Sequence, residues 1–302
     1  MYDIIIVGAG PAGLTAAIYA RRASKKVLVL EAKNYGGQII NTLDIENYPV
    51  EAHISGFEFA TKLYDQAKNL GAEIVFEKVT EIRDNAGEKE IVTPKNTYKA
   101  KALILATGSE NRKLGLPKED ELIGKGISYC ATCDGAFFRK KNVAVVGGGN
   151  TALEDALYLS DIAEKVYLIH RRDEFRGEDS TVNQLKAKDN IEFVYNSTVS
   201  KLISEDRLNS IEVTNTSGEK RIIELDGLFV AIGRIPENQN FAKLIKLDQA
   251  GYVISGENCM TNVEGLFVAG DNRTKEVRQL VTATADGAVA ATAAVKYINN
   301  IQ

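Results

Sequence analysis

Twice in this chain a short apolar run meets a glycine-rich turn and then a helical pattern, and few folds accommodate that arrangement. In the first copy, residues 3–7 read as a buried strand and Gly8-Ala9-Gly10-Pro11-Ala12-Gly13 as the turn. Residues 14–23 then read as an Ala-rich helix, and 26–30 as a second strand ending at Glu31. Parallel strands joined this way need a crossover helix that returns over one face of the sheet. The glycines serve a tight turn, close approach of a pyrophosphate and close helix–strand packing, with Pro11 and Ala12 in the same cofactor-binding turn and the pyrophosphate at the positive N-terminus of the helix that follows. Glu31 stands where an acid binds ribose hydroxyls, although a solvated strand-end charge would look the same.

The second copy has a strand at 142–146, the turn Gly147-Gly148-Gly149-Asn150-Thr151-Ala152, a helix beginning over 153–160 and a strand at 165–169. Ala152 takes the third glycine position. The ribose acid is missing, and His170-Arg171-Arg172 stands there instead, with Arg176 following. Guanidinium groups at that strand end suit the 2′-phosphate of NADP, whereas a solvated basic turn is the bland alternative. His170 alone reads equally as a packing or capping residue.

A third segment completes the first copy. Residues 265–271 read as a strand running into Asp271, and Arg278-Gln279 opens a long Ala-rich helix to about residue 299. A helix N-terminus places positive potential on a developing anion, such as the N1/O2 edge of a reduced flavin. Plain packing would explain its Ala and Thr content as well. Residues 102–108 and 227–233 are matching strand–turn segments, one closing each half. The chain therefore reads as α/β with two Rossmann-like, three-layer domains. A flavin domain (1–112 and 244–302) receives an inserted nicotinamide domain (113–243), with crossings near 112–116 and 240–244.

Cys130-Ala131-Thr132-Cys133 lies just ahead of the second nucleotide strand, followed at once by Asp134. Two thiols at this spacing can close into a disulfide and reopen, storing two electrons, and the arrangement is one that lowers a thiol pKa. A neighbouring carboxylate can move the proton this chemistry requires; Asp134 also suits a helix N-cap. A zinc knuckle needs four ligands, and beyond this pair only Cys259, His53 and His170 remain, none paired nearby. An inert structural pair is the other reading. Three cysteines and an N-terminus without basic region, apolar core or cleavage site point to the reducing cytoplasm.

Composition closes other classes. With 44% apolar and 26% charged residues the chain is an ordinary globular protein. A net charge of −4 offers no basic face for nucleic acid. The longest apolar runs are single strands, such as residues 4–7, too short to span a bilayer.

Taken in order, these motifs resemble the low-molecular-weight, NADPH-dependent thioredoxin reductases of bacteria and archaea over essentially the full length. The matching stretches are Gly8 to Gly13, Gly36-Gly37-Gln38, Glu46-Asn47-Tyr48-Pro49, Ala106-Thr107-Gly108, Cys130 to Asp134, Gly147 to Ala152, His170 to Arg176, Gly270-Asp271 and Arg278-Gln279. The resemblance implies FAD on the outer domain, NADPH on the inserted one, and a homodimer. It implies FAD contacts at Gly36, Gly37, Gln38, Asn47, Asp271, Arg278 and Gln279, and a phosphate site at Arg171, Arg172 and Arg176. It further implies that Cys133 faces the flavin, that Cys130 attacks thioredoxin or a thioredoxin-like partner, and that Asp134 serves the thiols as acid and base. Two positions depart. Ala136 stands among aromatics that commonly form the docking surface, and Asn272 where many members carry an apolar residue.

Overall fold

The computed structural model describes every residue except Leu43, Ala86 and Gln302. The chain forms two compact units, one from residues 1–110 and 235–302, the other from residues 111–234.

The first unit opens with β1 (Tyr2–Val7), α1 (Pro11–Arg22) and β2 (Val27–Leu30), then α2 (Gly56–Asn69) and β3 (Glu73–Val75). The strands β4 (Glu81–Asn85), β5 (Glu88–Val92) and β6 (Thr97–Leu105) follow, and β7 (Ser109–Asn111) leads out. The second unit holds β8 (Ile127–Ser128), α3 (Ala131–Asp134), β9 (Asn142–Gly147), α4 (Asn150–Ser160), β10 (Lys165–Ile169), α5 (Asp179–Lys186) and β11 (Ile191–Val194). Three further strands, β12 (Ser197–Ser204), β13 (Leu208–Asn215) and β14 (Lys220–Glu224), precede β15 (Gly227–Ala231) and the outgoing β16 (Arg234–Pro236). The chain then rejoins the first unit with β17 (Leu266–Val268) and α6 (Leu280–Asn300).

In the first sheet the order is β3-β2-β1-β6-β5-β4. β6 is long enough to take two partners along one edge. Its first half pairs antiparallel with β5, and Leu103 to Leu105 pair parallel with β17. Residues separated by more than 150 positions thereby complete one sheet. β1 is apolar without alternation because both faces are covered. Ile4 and Ile6 enter the cluster under α1 and α6, while Ile5 and Val7 enter the opposite one with Phe241 and Ile245. The second unit repeats the plan with a parallel sheet, β11-β10-β9-β15-β8. Val143 and Val145 pack with the α4 residues Leu153, Ala156 and Leu159. Ala144 and Val146 pack with Val199, Leu202 and Ile211 of the antiparallel β12-β13-β14 sheet. Helices, parallel sheet and antiparallel sheet make its three layers.

Both nucleotide-type helices start three residues earlier than the sequence pattern suggests, at Pro11 and Asn150 rather than 14 and 153. Glycine looks like a breaker in an isolated sequence, but Pro and small residues are well tolerated in the first turn. β17 is shorter than the expected 265–271 because Gly270 turns to φ +90°. The antiparallel three-stranded sheet and the β4–β5 hairpin carry no motif. Among the described residues, no helix is long and apolar enough to cross a membrane.

Candidate active site

The redox pair is built on the end of β8, which is fixed by parallel pairing of Ile127 and Ser128 with Leu228 and Phe229. Cys130, in extended backbone, caps the single turn α3, and its carbonyl accepts from the Cys133 N–H (3.3 Å) and the Asp134 N–H (3.1 Å). That turn brings the two Cα atoms to 5.3 Å, and the sulfurs are bonded as a disulfide. Ala131 is fully buried against the core of the unit, and Phe138 stacks edge-on to Phe229 at 5.2 Å. A Cβ at Gly135 would meet Tyr158 Cε1 at 2.9 Å, so α4 and the redox turn are in close contact. Ala136 and Phe137 are exposed just beyond.

Asp134 is the last residue of α3, whose cap is Cys130, and it stands at the N-cap position of the 3-10 turn Gly135–Phe138 without a side-chain capping bond. Its Oδ2 accepts from Ser128 Oγ at 2.6 Å. Burial pushes the carboxyl above its usual range, and the Ser128 hydrogen bond draws it partly back. Such a group holds a proton more readily than an exposed aspartate does, which suits an acid beside a thiolate. Behind it, Tyr129 donates to Glu119 (2.7 Å), whose carboxylate also accepts the N–H groups of Leu114 and Gly115. No residue type or spacing marks Ser128 or Glu119 in the sequence.

In the first unit the glycine turn has the shape of an anion cradle. Gly8 sits at φ +108°, where a Cβ would lie 2.2 Å from the Ala106 carbonyl oxygen, and one at Gly13 would lie 1.9 Å from that of Gly8. Over Gly10, by contrast, the nearest atom to a Cβ would be Gly37 Cα at 4.0 Å. That open space faces the start of α1, whose cap Gly10 offers no side chain to the first N–H groups. Glu31 accepts from the Ala9 N–H (2.7 Å) and the Lys33 N–H (2.8 Å), so it braces the turn as well as marking the strand end. Gly36 donates to the Ala9 carbonyl (2.8 Å) and, at φ +99°, turns Gly37 and the exposed Gln38 alongside Gly10. Asn47 Nδ2 donates to Gln279 Oε1 at 3.2 Å, and Gln279 caps α6 through a reciprocal bond with Thr282. A Cβ at Gly270 would lie 2.9 Å from Ala12 Cβ, which brings the Asp271 segment onto α1. Arg278 lies over the Tyr252 ring at 4.2 Å, and its Nε is buried without a hydrogen-bond partner. The open cradle, that orphaned donor and two helix starts with no acidic residue in their first turns fit a dinucleotide.

Beneath this cradle lies a network with no sequence motif. Asp286 accepts from Gly270 N–H, Arg273 and Lys275, all within 2.9 Å. Asn272, fully buried, donates to Thr107 Oγ1 (3.0 Å) and the Leu105 carbonyl (3.3 Å), while Asn238 Nδ2 donates to the Asn272 carbonyl (2.8 Å). A polar residue at 272 is thus a tie between β6, β17 and the returning chain. The one signal for Asp286 is a charge amid the small residues of α6.

In the second unit Gly147 packs on Ala231, where a Cβ would meet the carbonyl oxygen at 2.4 Å. Around Gly149 a Cβ would find nothing within 4 Å, and α4 starts there with no side-chain cap. Thr151 is exposed in its first turn and Ala152 is buried. The loop after β10 is stitched to this turn: the Arg176 N–H donates to the Gly148 carbonyl (2.7 Å) and the Glu178 N–H to Asn150 Oδ1 (2.9 Å). Arg171, Arg172 and Arg176 are exposed on that loop. His170 is elsewhere in character. Its ring is buried beneath Gly148, stacks on Phe175 and bonds the Glu174 carbonyl (3.0 Å). Burial, with Arg176 and Arg171 nearby, lowers its proton affinity, so it supports the loop as a neutral ring. Among the described residues, Asp44, Glu46 and His53 form an exposed cluster with metal-ligand atom types, and nothing further marks it as a metal centre.

Residues 2–287 match the family model described as pyridine nucleotide-disulphide oxidoreductase. A thioredoxin reductase of Treponema pallidum is 44% identical over 303 residues, covering 100% of this chain and 98% of that protein. One of Listeria innocua is 41% identical over 304 residues, covering 100% and 95%. The crystal structure of thioredoxin reductase from Streptococcus pyogenes is similar at a TM-score of 0.94, with 38% identity and 99% of each chain covered.

Proposed function

We propose, from the premise that this chain belongs to the pyridine nucleotide-disulphide oxidoreductases and among them to the thioredoxin reductases, that it carries electrons from NADPH through FAD and Cys130–Cys133 to thioredoxin or a thioredoxin-like protein. The observation that carries this is the Cys130–Cys133 disulfide with a half-buried carboxyl, Asp134, on the same turn. When bound, flavin and nicotinamide supply the electron pair that opens the disulfide.

The chain's own residues then do the following. Gly10 and the start of α1 receive the FAD pyrophosphate, with Glu31 at the ribose. Gly36 to Gln38, Asn47, Asp271, Arg278 and Gln279 line the rest, and the start of α6 lends positive potential to the flavin's anionic edge. In the inserted unit Gly149 and the first turn of α4 receive the second pyrophosphate, and Arg171, Arg172 and Arg176 pair with the 2′-phosphate. That exposed arginine group favours NADPH over another electron donor. With the pair reduced, the Cys130 thiolate attacks the partner disulfide and Asp134 gives its proton to the departing sulfur. Cys133 then closes on Cys130, releasing the second partner thiol. The working molecule is a cytoplasmic homodimer.

The test is direct. NADPH should bleach the flavin absorption of the purified protein, and oxidised thioredoxin should be reduced over many turnovers per enzyme. Bleaching without turnover on any small C-x-x-C protein would overturn the assignment of the partner.

A further inference from the structure

Ser128 is 3% exposed, and its hydroxyl stands at the centre of the redox turn. It accepts the Cys130 N–H (3.0 Å), donates to Asp134 Oδ2 (2.6 Å), and has a second acceptor within reach, the Cys130 carbonyl at 3.3 Å. One hydroxyl proton cannot serve both acceptors at once. We propose that Ser128 is a positioning residue for the thiol chemistry, a rotor that keeps Asp134 hydrogen-bonded both as carboxylate and as carboxylic acid. This rests on the reading of Asp134 as acid and base given above.

The hydrogen-bond count closes in each state. With Asp134 ionised, the Ser128 O–H points to Oδ2. With Asp134 protonated, its O–H donates to Ser128 Oγ, and the Ser128 proton turns to the Cys130 carbonyl. A serine oxygen has two lone pairs, so it accepts the Cys130 N–H and the Asp134 O–H together. Neither state strands a buried polar group, which would otherwise oppose each proton transfer. Pairing of β8 with β15 holds the Ser128 backbone in place throughout. The surroundings supply no other partner among the described residues. The Tyr129 hydroxyl is on Glu119, and on α4 the carboxyl of Asp155 responds to burial, Glu154 and Arg234. Tyr158 of α4 meets Gly135. Burial and Ser128 alone act on Asp134.

The experiment uses the NADPH-reduced holoenzyme and a bacterial thioredoxin disulfide. Ser128→Ala removes both the charge-assisted donor to the carboxylate and the weaker, neutral acceptor for the acid, so the carboxylate loses more. The limb of the exchange-rate profile set by Asp134 should move up by about one pH unit, a tenfold change in its protonation ratio. The carboxyl stretch of protonated Asp134 in difference infrared spectra should shift with it. FAD content and bleaching by NADPH should stay at wild-type level. Ser128→Thr, which keeps the hydroxyl, should restore the profile, and Ser128→Ala should add nothing in an Asp134→Asn background. A slow Asp134→Asn variant beside a Ser128→Ala enzyme of wild-type rate, profile and infrared band would overturn this proposal and leave the reductase standing. An Asp134→Asn enzyme of wild-type rate would remove the acid–base reading itself, and this proposal with it.

Discussion

Replacement of Asp286 by Ala tests the physical account of the first unit, the proposed flavin site. The carboxylate is 5% exposed and accepts from the Gly270 N–H (2.9 Å), Arg273 Nε and Nη2 (2.8 Å each) and Lys275 Nζ (2.9 Å). Without it, Arg273, itself 1% exposed, keeps among the described residues a single carboxylate partner, the solvent-facing Glu257 at 3.4 Å. Removing one member of a buried ion pair costs about 3–5 kcal/mol, because the other charge remains buried and unpaired. That is two to nearly four orders of magnitude in the folded population, at about 1.4 kcal/mol per factor of ten. Two units need not unfold together, so the assay should follow flavin release in urea beside the far-ultraviolet signal. Asp286→Ala should lower the flavin-release midpoint by that amount and weaken FAD rebinding, since Gly270 loses its anchor. pH gives a second reading. Burial alone would raise the Asp286 pKa, but the bonds from Arg273 and Lys275 prevail and leave it below the ordinary 3.8. A carboxyl depressed in the folded state stabilises fully above its unfolded pKa, about 3.9, and loses that contribution as pH falls through the folded value. The wild-type protein should therefore weaken steeply below about pH 4, and Asp286→Asn should lack that limb. A midpoint change worth less than about 1 kcal/mol in Asp286→Ala, or an unchanged acid limb in Asp286→Asn, would refute the reasoning.

Replacing Arg171 and Arg172 together with Ala should raise the Michaelis constant for NADPH by up to a few hundredfold, from two charge-assisted bonds of roughly 1.5–2 kcal/mol each, and leave NADH nearly unchanged. Equal effects on both coenzymes would remove the phosphate assignment. Cys133→Ser, retaining Cys130, should trap a stable mixed disulfide with a thioredoxin lacking its resolving cysteine, whereas Cys130→Ser should trap little; the opposite pattern would exchange the two roles. Gly149→Ala should leave thermal stability and FAD content intact, since a Cβ there meets nothing within 4 Å, yet weaken NADPH binding at least tenfold by filling the pyrophosphate cradle. Gly8→Ala, at φ +108° and 2.2 Å from a backbone oxygen, should instead fail in stability and flavin content; wild-type midpoints for Gly8→Ala would contradict the packing described.

Local constraints leave strong marks in the chain. A pyrophosphate cradle needs glycine at particular offsets after a strand, so Gly8 to Gly13 and Gly147 to Ala152 by themselves announce two α/β units. A C-x-x-C pair needs only one helical turn to meet, so the chemistry of Cys130 and Cys133 is legible too. The arginines after β10 stand out in the sequence because a strand end is a defined place in this fold, and the structure leaves all three exposed there. Other features depend on which distant residues the fold brings together, and such meetings leave no periodicity or spacing to read. β17 takes the second half of β6 as partner because β5 covers only its first half and leaves that edge open. Asn272 is an anomaly in the sequence and a tie in the fold, where its amide bonds Leu105 and Thr107. His170, on the same strand end as the arginines, turns inward beneath Gly148 because the absent Cβ there leaves room for its ring. Sequence determines chemistry wherever the needed atoms lie within a turn or two of chain. Tertiary structure decides the rest, because hydrogen bonds and burial act through space: they make Asp134 answer to Ser128 and Asp286 anchor the Gly270 segment.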